Sequence, residues 1–138
     1  GSALKEFNAM CVRQGVDQEI ANQLCSEPWS VLQCGENTTH IRATKEGYIS
    51  DIDALALGEV LCLIGAGRTG AKSKIDHGIG AVLNKIIGSK VTTGEPIISV
   101  DSPGTIPSAM KNKLLEAITI SDQKIELKPR LIATITSV

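Results

Sequence analysis

The stretch from Leu57 to Gly70 constrains the fold more than any other. It places a G-x-G-x-x-G (Gly65, Gly67, Gly70) directly after an apolar run, the spacing of a dinucleotide-binding turn. In a dinucleotide fold the glycines follow a strand and open a helix, so that the helix's first amides and positive dipole end face the pyrophosphate. Here the apolar run is itself helical, because Leu57, Val60, Leu61 and Ile64 recur at i, i+3, i+4 and i+7, one face of a helix. Asp53 stands where an N-cap is wanted, and Gly65 where a left-handed residue ends the helix. The free groups beside the glycines are then carbonyls at the negative end of the dipole, which repel phosphate. A dinucleotide site also needs an acidic residue about 20 positions on, and Asn84 to Lys90 holds no carboxylate. The motif ends a helix and does not cradle a nucleotide.

Composition narrows the classes further. The 138 residues, 42% of them hydrophobic, can bury one core. The net charge is −1 and aromatics make up 2%, whereas a nucleic-acid binder wants a basic face and stacking rings. Cys11, Cys25, Cys34 and Cys62 show no C-x-x-C spacing and no second cluster that would complete a tetrahedral zinc site. They read as reduced thiols in a cytoplasmic protein. No apolar run is long enough to cross a bilayer, and a secretory signal is missing at the start; Asn37-Thr38-Thr39 is accordingly a polar loop and not a glycosylation site.

The chain opens with a helix carrying Leu4, Phe7, Met10 and Cys11 on one face and ended by Gly15. Asp17 caps a second helix with Ile20, Ala21, Leu24 and Cys25, stopped by Pro28. The polar Ser26–Asn37 stretch is a linker anchored by a packed Trp29, which divides the chain into a helical lead-in, 1–37, and a domain, 38–138. Ile41 and Ala43, the turn-like Lys45-Glu46-Gly47, and Tyr48, Ile49 and Ile52 suggest a two-stranded hairpin. After the Leu57–Ile64 helix come a loop, a strand and a short further element, then a β-branched strand with Pro96 at its first position or on an edge. Ser102-Pro103-Gly104 is a turn, and Ser108 caps a helix with Lys111, Leu114, Leu115 and Ile118 along it. Leu131–Val138 alternates like a half-buried strand. The sum is an antiparallel α+β domain behind two short helices.

Catalytic machinery is hard to assemble from these residues. His40 and His77 are the only histidines, and neither stands in a Ser-His-Asp or Cys-His context. Adjacent Asp76 and His77 rarely face each other on regular structure, so an exposed loop pair or a local capping contact is the expectation. The candidate functional element is the loop after the helix, where Gly65, Gly67, Arg68, Lys72 and Lys74 combine small residues with positive charge.

The order of these motifs carries a resemblance. Gly47-Tyr48-Ile49-Ser50-Asp51-Ile52-Asp53, Leu57-Gly58, Gly65-Ala66-Gly67-Arg68, Lys74-Ile75-Asp76 with Gly80, Gly88, Val91 and Gly94-Glu95-Pro96 resemble the C-terminal domain of pyrimidine nucleoside phosphorylases, the family that includes thymidine phosphorylase. Phe7-Asn8-Ala9-Met10, Gln14-Gly15-Val16-Asp17 and Leu24-Cys25 resemble the helices that join that family's central domain to its C-terminal domain.

The resemblance implies an α/β-hammerhead domain, related to barrel-sandwich hybrids, behind two linker helices. It implies a parent that converts thymidine and phosphate to thymine and 2-deoxyribose 1-phosphate, in a cleft between a helical N-terminal domain and a central α/β domain. Those domains, which hold the family's phosphate- and base-binding motifs, are absent here, so no catalytic residue is carried over. Inorganic phosphate would be a co-substrate; no cofactor or metal is expected, nor a nucleic-acid or membrane partner. The parent would be a homodimer through its helical domain, and Arg68 would belong to a loop that closes over the cleft. Two other readings compete. A biotinyl or lipoyl carrier domain shares the V-x-x-G-E-P-I strand but needs a lysine at a hairpin tip; Lys45 follows Thr44 without flanking methionines. A free-standing, non-catalytic binding domain is the second.

Overall fold

A computed structural model describes residues 1–32, 34–70, 73–127 and 133. Helices α1 (Ser2–Arg13) and α2 (Gln18–Ser26) pack on each other. The Asp17 carboxylate accepts from the Glu19 and Ile20 amides, as a residue with a short acidic side chain does at an N-cap. Pro28 does stop α2, but it also begins a further helical turn, α3 (Pro28–Val31), which the polar composition of the stretch concealed. Proline lacks the N–H that a first helical residue cannot use, so one residue can end one helix and start the next. The expected anchor is overturned here: Trp29 rides on the outside of this turn and is 73% exposed.

Among the described residues six strands follow: β1 (Asn37–Arg42), β2 (Gly47–Ile52), β3 (Gly80–Leu83), β4 (Lys90–Val91), β5 (Pro96–Ser102) and β6 (Ile118–Ser121). They form two antiparallel three-stranded sheets, ordered β1-β5-β3 and β4-β2-β6. Successive strands therefore alternate between the sheets, and the expected hairpin is absent. β1 pairs with β5 and β2 with β4 and β6, while residues 43–46 carry the chain from one sheet to the other. The crossing is held at one end by backbone bonds from Ala43 to Glu95 (2.9 Å) and from Gly94 to Ala43 (2.8 Å). Pro96 begins β5, where its missing N–H removes no interior ladder bond.

Helix α4 (Ala54–Leu61) lies between β2 and β3 in the chain, and α5 (Ser108–Glu116) between β5 and β6; the two helices pack on each other. Ile41, Ile49, Val91, Ile97, Ile98, Val100 and Ile118 from both sheets join Leu57, Val60 and Leu114 from the helices in one buried cluster. The Leu57, Val60, Leu61, Ile64 stripe is the face that meets this core, and burying it holds α4 against the sheets. Two expectations for α5 fail. Ser108 is inside the helix and makes no cap, Pro107 taking the position before it, and Ile118 belongs to β6. The expected strand at Leu131–Val138 lies outside the described residues except Ala133.

Candidate functional site: the loop after α4

Asp53 fixes the start of α4 by accepting from the Ala56 amide at 2.9 Å. At the other end the helix widens into a π-helical turn, Cys62–Ala66, within which Gly65 adopts φ +118°. That conformation disfavours every residue with a Cβ. It turns the Gly65 carbonyl toward the Asp76 amide, and the 3.0 Å bond between them closes the neck of a loop. Gly67 is extended, but its α-carbon lies so close to Cys62 that a Cβ there would run into the thiol sulfur. Both glycines are required by contact or by dihedral angle, which gives the G-x-G spacing a structural origin.

Ser73 organises the loop. Its Oγ accepts from the Thr69 amide (3.1 Å) and the Gly70 amide (3.2 Å) and donates to the Gly70 carbonyl (2.7 Å). On the return limb, the Asp76 carboxylate accepts from the Gly78 amide at 2.9 Å, the local capping contact expected of it, and His77 is exposed. Ile79, buried, leads into β3. Arg68 on the outgoing limb and Lys74 on the returning limb are both exposed; Lys72 lies outside the described residues. The result is a loop with a fixed neck and cationic side chains on both limbs, suited to meeting an anion and holding no nucleophile–base pair among its described residues.

Elsewhere the fold makes one polar constellation that no local pattern reveals. The β1–β5 register sets His40 against Ser99, with Nδ1 2.9 Å from Oγ, and the Asn84 amide donates to the same Oγ at 2.8 Å. The neighbouring Asp101 is engaged by the Thr38 hydroxyl at 2.6 Å, and among the described residues no carboxylate is hydrogen-bonded to His40. Only the register, joining positions far apart in the chain, could have disclosed this pair. Among the described residues no three His, Cys, Asp or Glu side chains converge as metal ligands, and no helix is long and apolar enough to cross a membrane. All four cysteines are free. Lys45 pairs with Asp122 at 3.5 Å on the segment that joins the two sheets.

The two antiparallel sheets, the paired helices and the glycine-necked loop define an α+β domain whose likeness to known proteins is specific. The sequence profile of the pyrimidine nucleoside phosphorylase C-terminal domain matches residues 48–121, from β2 through β6. The chain is 34% identical over 126 residues to the pyrimidine-nucleoside phosphorylase of Geobacillus stearothermophilus, covering 91% of this chain and 28% of that protein. It is 31% identical over 125 residues to the pyrimidine-nucleoside phosphorylase of Staphylococcus aureus (strain USA300), with the same two coverages. The chain belongs to the pyrimidine nucleoside phosphorylase C-terminal domain family, and it spans about 28% of the length of the curated relatives that it matches.

Proposed function

We propose that this chain is the C-terminal module of a thymidine or broader pyrimidine nucleoside phosphorylase, whose parent converts the nucleoside and phosphate to the free base and 2-deoxyribose 1-phosphate. The observation that carries this reading is the collinear match over 91% of the chain to just 28% of each relative. The module is non-catalytic and supports the remaining domains, a helical N-terminal one and a central α/β one. Residues 1–37 are the linker from the central domain, and 38–138 form an α/β hammerhead, a description supported by strands that alternate between two sheets. The parent is a cytoplasmic homodimer that uses inorganic phosphate as co-substrate and no cofactor.

The role assigned to the loop at Gly65, Gly67, Arg68, Lys72 and Lys74 is closure of the substrate cleft. Phosphorolysis needs an anion and a nucleoside held in line with water excluded. A loop whose neck is fixed and whose limbs carry exposed cations can approach an anionic site while its root stays in place. The test is thymine release from thymidine and phosphate by this chain, by the upstream polypeptide, and by their mixture. Activity in the mixture above that of the upstream part supports the reading; activity from this chain alone overturns it.

A further inference from the structure

Helix α4 is apolar on both sides, yet the described residues cover only one. Glu59 is the single charged residue between Ala54 and Ala66, and a helix apolar all round is normally a buried helix. Leu57 and Val60 face the core, whereas Leu55 is 74% and Leu63 55% exposed. The outward side is an open depression of about 560 Å³ lined by Ala54, Leu55, Gly58, Glu59, Cys62 and Leu63. These residues form two parallel rows at four-residue spacing. Ala54, Gly58 and Cys62 make a row of small side chains, and Leu55, Glu59 and Leu63 the ridge beside it, the relief into which the i±4 ridge of a second helix packs.

Gly58 supplies an independent observation. A helix-interior glycine is unfavourable by about 1 kcal/mol relative to alanine, and a Cβ added at Gly58 would meet nothing within 4 Å. Nothing among the described residues requires a glycine there. A helix approaching from outside would.

The geometry points to a docking groove on α4 filled by a helix of the polypeptide that the full-length relatives carry ahead of this domain; this rests on the reading of the chain as a phosphorylase module. That polypeptide makes up most of each relative's length. Joined to the module in one chain, it faces α4 at an effective concentration that a second copy of the module does not match.

Cys62 on the groove floor and Cys34 are both exposed free thiols, so alkylation followed by peptide mass analysis footprints the groove with a reference site. In the mixture with the upstream polypeptide, Cys62 should react roughly tenfold more slowly relative to Cys34 than in this chain alone. Gly58→Leu, which points into open space here, should leave the melting temperature of the isolated chain unchanged or raised and abolish that protection. Phosphorolysis in the mixture with no protection of Cys62 overturns the groove and leaves the module reading standing. Neither activity nor protection overturns both. Protection that appears in this chain alone as its concentration rises assigns the groove to a second copy and overturns the proposed occupant.

Discussion

At the scale of single residues, two positions show how local chemistry holds this domain. Glu95 in the turn before β5 accepts from the Thr92 amide at 2.9 Å, and its other oxygen meets the Lys85 ammonium at 2.5 Å. The Lys85 contact first, and the Thr92 amide second, hold its carboxyl below the ordinary value of 4.5. A carboxyl depressed on folding contributes stability that is present above its ordinary value and is lost as the pH falls through the lower, folded one. Lys85→Met removes the larger cause, so the Glu95 titration, followed by NMR of its side-chain carbon, should move up toward 4.5; an unchanged midpoint would mean that Lys85 does not set it. Gly65 was legible in the sequence as a helix terminator, because a glycine after an apolar stripe has few other uses. The π-helical widening around it was not, since it depends on Cys62 and Gly67 meeting across the turn. Gly65→Ala forces a Cβ into positive φ and to 3.0 Å from the Ile79 side chain. Its expected cost is roughly 1–3 kcal/mol, measured by urea denaturation of the two proteins; a smaller loss would mean that the turn relaxes.

At the scale of elements, what could be read was what depends on neighbours in sequence. The α4 stripe and the Asp17 and Asp53 caps follow from three- and four-residue spacing, and each is where that spacing puts it. Ile118 satisfies helical spacing as well as strand spacing, because it directly follows a helix, and only its pairing with Ile52 in β2 places it in a strand. The candidate loop was legible as an element by its glycines and charges, but its fixed neck, a bond between Gly65 and Asp76, was not. With the root of the loop held and Arg68 exposed, that side chain can be removed without disturbing the core, which makes the proposed closure role testable. In the full-length parent, Arg68→Ala should leave the melting temperature unchanged. It should lower kcat/KM for phosphorolysis by roughly ten- to hundredfold, the equivalent of about 1.5–3 kcal/mol for one lost hydrogen bond to a charged group. Unaltered kinetics would remove Arg68 from cleft closure.

At the scale of the whole molecule, the alternation of strands between sheets is the feature that sequence reasoning could not reach. Two strand-like runs separated by Lys45-Glu46-Gly47 satisfy the local pattern of a hairpin, and consecutive strands are neighbours in most folds. Whether they pair is decided by partners far along the chain: β5 for β1, and β4 and β6 for β2. The same crossing has an energetic consequence. Because each sheet draws alternate strands from the chain, neither can be removed as a contiguous segment, and both contribute side chains to one buried cluster. A defect in either sheet should therefore be felt equally by the other. Ile98, fully buried on the central strand β5, is the position to test this. Ile98→Ala should destabilise the domain by about 2–5 kcal/mol. Followed by NMR through urea, the amides of Thr39 in one sheet and Thr119 in the other should lose their native signals at the same, lowered midpoint. The exposed Trp29 lies outside this cluster, so its fluorescence is the wrong probe for the transition. A Thr119 midpoint that stays at its original value while that of Thr39 falls would show that the sheets unfold separately and that the shared cluster does not couple them.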